Sequence, residues 1–184
     1  MDSTIAPWTP EADMTSQLLD PLNPVQGMLE GATTVIRHAR FCWLVTENDE
    51  SNPAVRPMGP ILEADELLQV RFITDRRSRK AEQIWNNGHV QLLFSRESAD
   101  AFVILVGDAF VVTEREEIAA LWKRSYVQYF PTPEDRLNAV FIEVRPRVLK
   151  LWIRGVTPES NGFRPTVLTC SNGSEWTEGA AHGL

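Results

Sequence analysis

The chain has 184 residues, of which 43% are hydrophobic and 9% aromatic, and its formal net charge is −7. This length and composition predict one globular domain with a sizeable core. The acidic balance argues against a general nucleic-acid or membrane-surface binding protein. No apolar run approaches the roughly 20 residues that a membrane-spanning helix needs. Two cysteines are too few for a disulfide framework or a zinc site.

The cysteines and the N-terminus together indicate a compartment. Cys42 lies in an apolar run and is predicted to be a buried thiol. Residues 1–8 contain neither the basic region nor the apolar core of a signal peptide. We therefore expect a cytoplasmic protein. Residues 1–24 hold four prolines and no sustained periodicity, which predicts an N-terminal arm.

The first two-thirds of the chain predict one long helix and several strands. Apolar residues at helical spacing predict the helix over residues 25–39. Alternating or continuous apolar runs predict strands at 41–46, 54–58, 67–74, 90–94 and 101–112. The first two form a hairpin, since only polar turn residues separate them. Gly107, inside the last run, indicates a bulge or a close backbone approach.

The remaining elements are marked by turn and cap residues. Thr113 and Glu116 have the spacing of a capping box, which predicts a helix continuing to about Tyr126. Pro131 and Pro133 prevent its continuation. Strands are predicted at 139–144 and 148–153, with a further short strand at 166–169, and the last dozen residues are expected to be disordered. About seven strands joined by short turns, with three helices, favour an antiparallel barrel over a doubly wound parallel sheet.

A basic segment follows the strand that ends at residue 74. Four of its five positions are cationic: Arg76, Arg77, Arg79 and Lys80. Without these four the chain would carry −11. Ser78 is a favourable N-cap for the short helix that follows, and Gly88 is typical of its C-terminal end.

The position of these cations is unusual. Cations at a helix N-terminus cost roughly 0.3–1 kcal/mol each, because the helix end is itself partly positive. The pattern therefore predicts a bound anion. Free N–H groups, a serine hydroxyl and flanking Arg and Lys side chains suit a phosphate group. The alternative is a solvated basic loop.

Side chains for acid–base or metal chemistry are scarce. His38, His89 and His182 lack metal-binding spacing. The chain has no G-x-S-x-G, G-x-G-x-x-G or P-loop motif. No catalytic residue and no metal site is therefore assigned, and an enzyme with this sequence would depend on a bound cofactor.

Several short motifs occur in a distinctive order along residues 26–156. They are Arg56-Pro57-Met58, Phe72-Ile73-Thr74-Asp75, Ser78-Arg79-Lys80, Gln83-Ile84, Leu121-Trp122, Tyr129-Phe130-Pro131 and Leu149-Lys150-Leu151-Trp152. This ordered set resembles the FMN-binding split barrel of the pyridoxamine 5′-phosphate oxidase superfamily. Within that superfamily it is most similar to the general stress protein branch.

The resemblance implies both a fold and a function. The fold is a mainly β, α+β domain at residues 25–156: a six- to seven-stranded antiparallel split β-barrel of Greek-key type with flanking helices. A partly disordered C-terminal extension would occupy residues 157–184. The function is that of an FMN flavoprotein, a homodimer with the cofactor at its interface. It would be an oxidoreductase acting on a small molecule, with NADH or NADPH as a candidate donor.

The resemblance also implies roles for nine residues. Three would lie along the flavin ring and ribityl chain, namely Arg56, Pro57 and Met58. Two would contact the flavin at a strand end, namely Ile73 and Thr74. Three would hold the phosphate, namely Ser78, Arg79 and Lys80. Trp152 would approach the flavin from the neighbouring subunit. The alternatives are that Arg56 extends to water and that Trp152 packs in the core.

Three departures distinguish the chain from the true oxidases. Ile61 stands where a lysine is expected, Phe102 stands near the place of a glutamine, and no arginine–histidine pattern follows Trp152. We therefore do not expect vitamin B6 oxidation. A non-catalytic flavin carrier or stress sensor, and a barrel that binds haem or a deazaflavin, are the alternative functions.

Overall fold

The computed structural model describes residues 23–48, 50–62, 68–158 and 164–179. The predicted N-terminal arm thus lies outside the described residues except for its last two. The described residues form one nine-stranded antiparallel sheet with four α-helices around it. The sheet curls into a half-barrel, so the predicted split barrel with flanking helices is confirmed. None of the described helices has the length and apolar character needed to cross a membrane.

The element bounds are as follows. The helices are α1 Pro24–His38, α2 Arg79–Asn86, α3 Arg115–Leu121 and α4 Pro133–Asn138. The strands are β1 Cys42–Glu47, β2 Pro53–Met58, β3 Ile61–Leu62, β4 Val70–Asp75, β5 His89–Arg96, β6 Ala101–Val112, β7 Ala139–Ile153, β8 Thr166–Ser171 and β9 Glu175–Gly179. The sheet order is β2-β1-β5-β6-β7-β4-β3, and β8 and β9 extend it from β7.

The main core lies between α1 and the inner face of the sheet. Helix α1 starts with Asn23, whose side chain accepts a hydrogen bond from the Gln26 N–H, and it ends with basic residues that suit the helix dipole. Its apolar stripe packs on β5, β6 and β7. Every second residue of β1 faces this core, including the predicted buried thiol of Cys42. Burial raises the pKa of that thiol to about 12.

Strand β7 corrects the prediction of two separate strands. It runs unbroken through Arg145, Pro146 and Arg147. The pairing with β6 shifts between Val106 and Gly107, so one extra residue of β7 is absorbed as a bulge. A bulge tolerates proline because the missing N–H interrupts no regular ladder.

Two glycines are required by close backbone approaches. A Cβ on Gly107 would lie 2.2 Å from the carbonyl oxygen of Arg145, which confirms the predicted close contact inside β6. Gly88 follows the C-terminal end of α2 as predicted, but without the left-handed conformation that a helix-ending glycine often adopts. The C-cap of α2 is Asn87, in extended conformation. A Cβ on Gly88 would lie 2.8 Å from the Ala109 carbonyl oxygen, so this glycine instead admits β6.

The C-terminal part contains more structure than predicted. Strand β7 pairs with β4 along its first half and with β8 along its second half. Leu168 of β8 is fully buried, and Trp176 of β9 packs against the core. Strand β9 falls in the stretch expected to be disordered, so that expectation is wrong for residues 175–179.

The helices after β6 also differ from the prediction. The N-cap of α3 is Glu114, which makes no side-chain capping bond, and the helix ends at Leu121 rather than near Tyr126. The capping box lies instead at α4. There the Thr132 hydroxyl accepts from the Asp135 N–H at 3.0 Å, and the Asp135 carboxylate accepts from the Thr132 N–H at 3.1 Å. The proline that follows Thr132 begins a helix, as proline often does at the first helical position.

We expect Gly107→Ala to lower the free energy of unfolding by about 2–4 kcal/mol, because its Cβ would overlap backbone that cannot move without breaking the β6–β7 ladder. Gly59→Ala is the matched control, since its Cβ would meet nothing within 4 Å. The control should stay within about 1 kcal/mol of wild type. Urea unfolding of both variants measures the difference, and equal stabilities would contradict the role given to Gly107.

Candidate functional site

A pocket of about 320 Å³ lies beside the N-terminal half of α2. It is lined by Asn48, Ala54, Arg56, Arg79, Lys80 and Gln83. The β1–β2 hairpin forms one side, and α2 forms the other. Strand β4 ends at Asp75, and a tight turn closed by the Ser78 N–H on the Asp75 carbonyl at 3.0 Å leads into α2. The register of the hairpin and this turn therefore decide which side chains meet.

The N-terminus of α2 presents unsatisfied donors. Ser78 occupies the predicted N-cap position, but its hydroxyl makes no capping bond and lies 3.3 Å from the Thr74 hydroxyl. The N–H groups of Arg79 and Lys80 have no acceptor among the described residues. Free N–H groups at the positive end of a helix attract an anion.

The four predicted cations divide into two groups. Lys80 lies in the pocket and donates from Nζ to the Thr74 hydroxyl at 3.0 Å. Arg79 also lines the pocket. Arg77 turns away and pairs with Asp75 at 2.7 Å and with Glu134 at 3.5 Å. Its charge is therefore already compensated, and its hydrogen bond is the main cause of the lowered pKa of Asp75. Arg76 is exposed and does not line the pocket.

Arg56 points into the pocket rather than extending to water. Its two terminal nitrogens donate to neutral oxygens. Nη1 donates to the Thr46 hydroxyl at 2.5 Å, and Nη2 donates to the side-chain oxygen of Gln83 at 2.9 Å. The Thr46 hydroxyl in turn donates to the same Gln83 oxygen at 2.7 Å. Both partners are buried, with 1% of Thr46 and 7% of Gln83 exposed. The guanidinium is therefore held in a fixed orientation.

The pocket concentrates positive charge that its own residues do not balance. Burial, and then the charge of Arg79, lowers the pKa of Arg56. Burial, and then the charge of Arg56, lowers the pKa of Lys80, while the carboxylate of Asp75 acts in the opposite direction. No carboxylate lines the pocket in the part of the chain that the structure describes. Such a site favours a multiply charged anion, and phosphate matches it in charge and in acceptor count.

Three other predicted site residues have side chains outside this pocket. Pro57 lies on the outer face of the sheet, opposite Trp43 in the register of the hairpin. Met58 packs against the main core. Ile73 packs against a second apolar cluster formed by Ile118, Tyr126, Val140 and Phe141.

Trp152 does not line the pocket of its own chain. It pairs with Phe102 on the outer face of the sheet and belongs to neither core cluster, so the alternative of core packing is wrong. Thr74 pairs with Val140, and Trp152 lies twelve residues further along β7. Within one subunit Trp152 is therefore not one of the residues that line the cationic pocket.

Sequence reasoning missed Thr46 and Gln83 as site residues. Each carried a weak signal. Gln83 falls on the buried face of α2 between Ala81 and Ile84, where an apolar residue is usual. Thr46 occupies an inward position of β1, on the same face as Cys42 and Leu44. A polar residue at an otherwise apolar position indicates a buried hydrogen bond.

The site offers binding groups rather than a general acid or base. The ring of His38 bonds to the Thr34 carbonyl at the end of α1, and His89 pairs with Asp108 at 2.9 Å, and neither lines the pocket. His182 lies outside the described residues. No cluster of metal-ligating side chains occurs in the described ranges. The arrangement can hold a phosphorylated ligand, whose own chemistry would have to supply any reaction.

Comparison with known proteins gives a family match and a shared fold. A family model described as pyridoxamine 5′-phosphate oxidase like matches residues 29–158. No curated protein sequence matches significantly. General stress protein 26 from Bacillus anthracis is similar in structure, with a TM-score of 0.60 and 24% identity over 78% of this chain and 98% of that one.

Two further solved structures share the fold. A pyridoxamine 5′-phosphate oxidase-related, FMN-binding protein from Nostoc punctiforme has a TM-score of 0.62 and 17% identity, covering 90% of this chain and 99% of that one. A haem-binding protein from Mycobacterium smegmatis has a TM-score of 0.56 and 14% identity, covering 77% of this chain and 57% of that one. At these identities the likeness extends to the fold alone.

We expect Lys80→Met to stabilise the ligand-free protein by about 0.5 kcal/mol, a small value because solvent screens the site. The lowered pKa means that the folded state binds this proton less well than the unfolded state does. The free energy of unfolding should therefore rise with pH between the lowered pKa of Lys80 in the folded state and its ordinary pKa in the unfolded state. Lys80→Met should lose that rise. Urea unfolding between neutral and alkaline pH measures both effects. A destabilised variant would show that the bond to Thr74 outweighs the charge repulsion.

Proposed function

This chain belongs to the pyridoxamine 5′-phosphate oxidase-like family, and from that premise we propose that it is a flavoprotein that binds FMN. The match of the family model to residues 29–158 confirms the predicted family membership. The observation that carries the proposal is the pocket with three cations, Arg56, Arg79 and Lys80, which no described carboxylate lines. A phosphomonoester carries about two negative charges and three acceptor oxygens, which these groups complement.

The roles proposed for the chain's residues follow from their positions. Arg79, Lys80 and their free N–H groups would hold the phosphate, together with the hydroxyl of Ser78. Arg56 would contribute a further fixed cation. Thr74 fixes Lys80 by its hydroxyl. FMN, when bound, supplies hydride or electron transfer at the N5 atom of its ring, while the protein binds, orients and shields it.

We propose an oxidoreductase acting on a small molecule as the activity. The support is chemical: the pocket is lined by cations and amides, which hold a cofactor, and by no side chain suited to acid–base catalysis on its own. The same observation favours the second candidate, a flavin carrier or stress sensor without turnover. Stopped-flow mixing with NADH or NADPH separates them, since reduction of the bound flavin within a catalytic turnover time would exclude the carrier.

A haem ligand is the less favoured alternative. The Mycobacterium smegmatis protein of the same fold binds haem. Haem iron is commonly held by a histidine. In this chain the two described histidines, His38 and His89, lie away from the pocket and are each engaged elsewhere. The cluster of cations suits the phosphate of FMN better.

We also propose a homodimer with the cofactor at its interface. The outer face of the sheet is apolar and exposed: Trp43 is 53% exposed, Val55 57% and Phe102 46%. The register places these residues on one face of the sheet. Val55 lies opposite Val45, which is two residues from Trp43. Trp43 lies opposite Leu93, and Leu93 lies opposite Ile104, which is two residues from Phe102. A contiguous apolar patch of this kind supports a protein interface. In such a dimer Trp152 of the partner subunit would reach the flavin, since Trp152 does not line the pocket of its own chain.

We expect Arg79→Ala and Lys80→Ala each to weaken FMN binding about tenfold or more, because each removes a charge-assisted phosphate contact. Arg77→Ala is the matched control. Its charge is already paired with Asp75, so its affinity should stay within about twofold of wild type. The absorption spectrum after FMN addition and desalting, with fluorescence titration for affinity, measures retention. Equal effects of Arg77 and Arg79 would contradict the phosphate assignment.

We expect Trp43→Asp to convert the dimer to a monomer and to weaken FMN binding, because a carboxylate would be buried in an apolar interface. Trp85→Asp is the matched control, since that tryptophan is similarly exposed, at 57%, but lies on α2. It should leave the mass unchanged. Light scattering on a sizing column reads the mass of both variants. A wild-type monomer, or an unchanged dimer in Trp43→Asp, would refute the proposed interface.

A further inference from the structure

The side-chain oxygen of Gln83 links α2 to the β1–β2 hairpin, which lies well before it in the sequence. It accepts a hydrogen bond from Thr46 of β1 at 2.7 Å and from Arg56 of β2 at 2.9 Å. Thr46 accepts from the other terminal nitrogen of Arg56. The three side chains form a closed triangle that ties the hairpin to α2. The fork of Arg56 is therefore set before any ligand arrives.

The acceptors that hold Arg56 are neutral. A partly buried guanidinium is usually held by a carboxylate, which matches its fork in two strong hydrogen bonds. Among the described residues no carboxylate pairs with Arg56, and its hydrogen-bond partners there are the hydroxyl and the amide. The positive charge is thus positioned without being cancelled. Glutamate has the same size as glutamine and would bind Arg56 more strongly. The amide of Gln83 binds Arg56 less strongly, but it leaves the positive charge of Arg56 available to a ligand.

The amide group has a second consequence for a ligand. Its nitrogen makes no hydrogen bond to any described residue, and Gln83 lines the pocket beside Arg79 and Lys80. An amide N–H₂ can donate to a phosphate oxygen, whereas a carboxylate there would repel it. Both the oxygen and the nitrogen of Gln83 therefore favour an anion in the pocket.

We propose that Gln83 is a positioning residue that makes the site selective for a phosphorylated ligand over its unphosphorylated counterpart. It fixes Arg56 through a neutral oxygen and so keeps the full positive charge of the pocket for a dianion. This inference rests on the proposed function for the identity of the ligand. It assigns the preference for FMN over riboflavin to a residue that need not touch the flavin.

The test compares the affinities for FMN and riboflavin in wild type and in Gln83→Glu, by flavin fluorescence quenching. We expect the ratio of the two affinities to fall about tenfold or more in Gln83→Glu, because a new negative charge would pair with Arg56. Riboflavin affinity should change little. Asn86→Asp is the matched control, since it makes the same amide-to-carboxylate change on an exposed position of α2. It should leave the ratio within about twofold of wild type.

A second pair of variants tests the triangle from its other corner. Thr46→Val keeps the shape and removes the hydroxyl that accepts from Arg56, so the ratio should fall in the same direction as in Gln83→Glu. Thr46→Ser keeps the hydroxyl and should therefore keep the wild-type ratio of FMN to riboflavin affinity. Thermal unfolding verifies that each variant is folded. A folded Gln83→Glu protein with an unchanged ratio would overturn the inference and leave the FMN proposal intact.

Inorganic phosphate separates failure of this inference from failure of the proposed function. We expect phosphate to raise the melting temperature of wild type above the value in sodium chloride of equal ionic strength, and Gln83→Glu to lose that rise. If wild type retains no flavin, but phosphate stabilises wild type and not Gln83→Glu, the role of Gln83 stands and the FMN proposal fails. If wild type shows neither FMN preference nor phosphate stabilisation, both are overturned.

Discussion

The partial burial of positive charge that no carboxylate in the pocket neutralises is the constraint on which this site depends. Arg56 and Lys80 have pKa values lowered by burial and by the charges around them, which shows that the pocket holds its positive charge at an energetic cost. The fold maintains this arrangement with neutral hydroxyl and amide groups, namely Thr46, Thr74 and Gln83. An anion would neutralise this charge, so binding and stability are coupled at this one place.

The architecture explains how residues from three parts of the chain reach the pocket. Strand β4 ends at the turn that starts α2, and the β1–β2 hairpin places Arg56 against the same helix. Strand β7 runs along both halves of the sheet and is held by β6 over most of its length. Its bulge at Gly107 lets it bend without losing that pairing, and so the curled sheet stays continuous behind the site.

Local patterns predicted much of this structure, and the failures have physical causes. The alternation of β1 and β6 and the cation-rich start of α2 follow from periodicity and helix electrostatics, which act over a few residues. The pairing of Arg77 with Asp75 depends on the shape of one turn, and the contact of Gln83 with Thr46 joins residues 37 positions apart. The effect of Pro146 depends on a strand partner that only tertiary structure supplies. The proposed dimer interface would involve a second chain, and its apolar face is recognised only once the register of β1, β2, β5 and β6 is known.

The C-terminal hairpin has a consequence for the sheet edge. Strand β8 pairs with the second half of β7, beyond the segment that pairs with β4, and this hairpin follows the region that the family model matches. Without it, that half of β7 would present unpaired backbone groups to other chains, which is a common route to aggregation. The outermost strand becomes β9, which has only five residues and carries exposed Glu175 and Glu178. A short, negatively charged edge strand is a poor template for another strand. The hairpin therefore replaces a sheet edge that could pair with another chain by one that discourages such pairing.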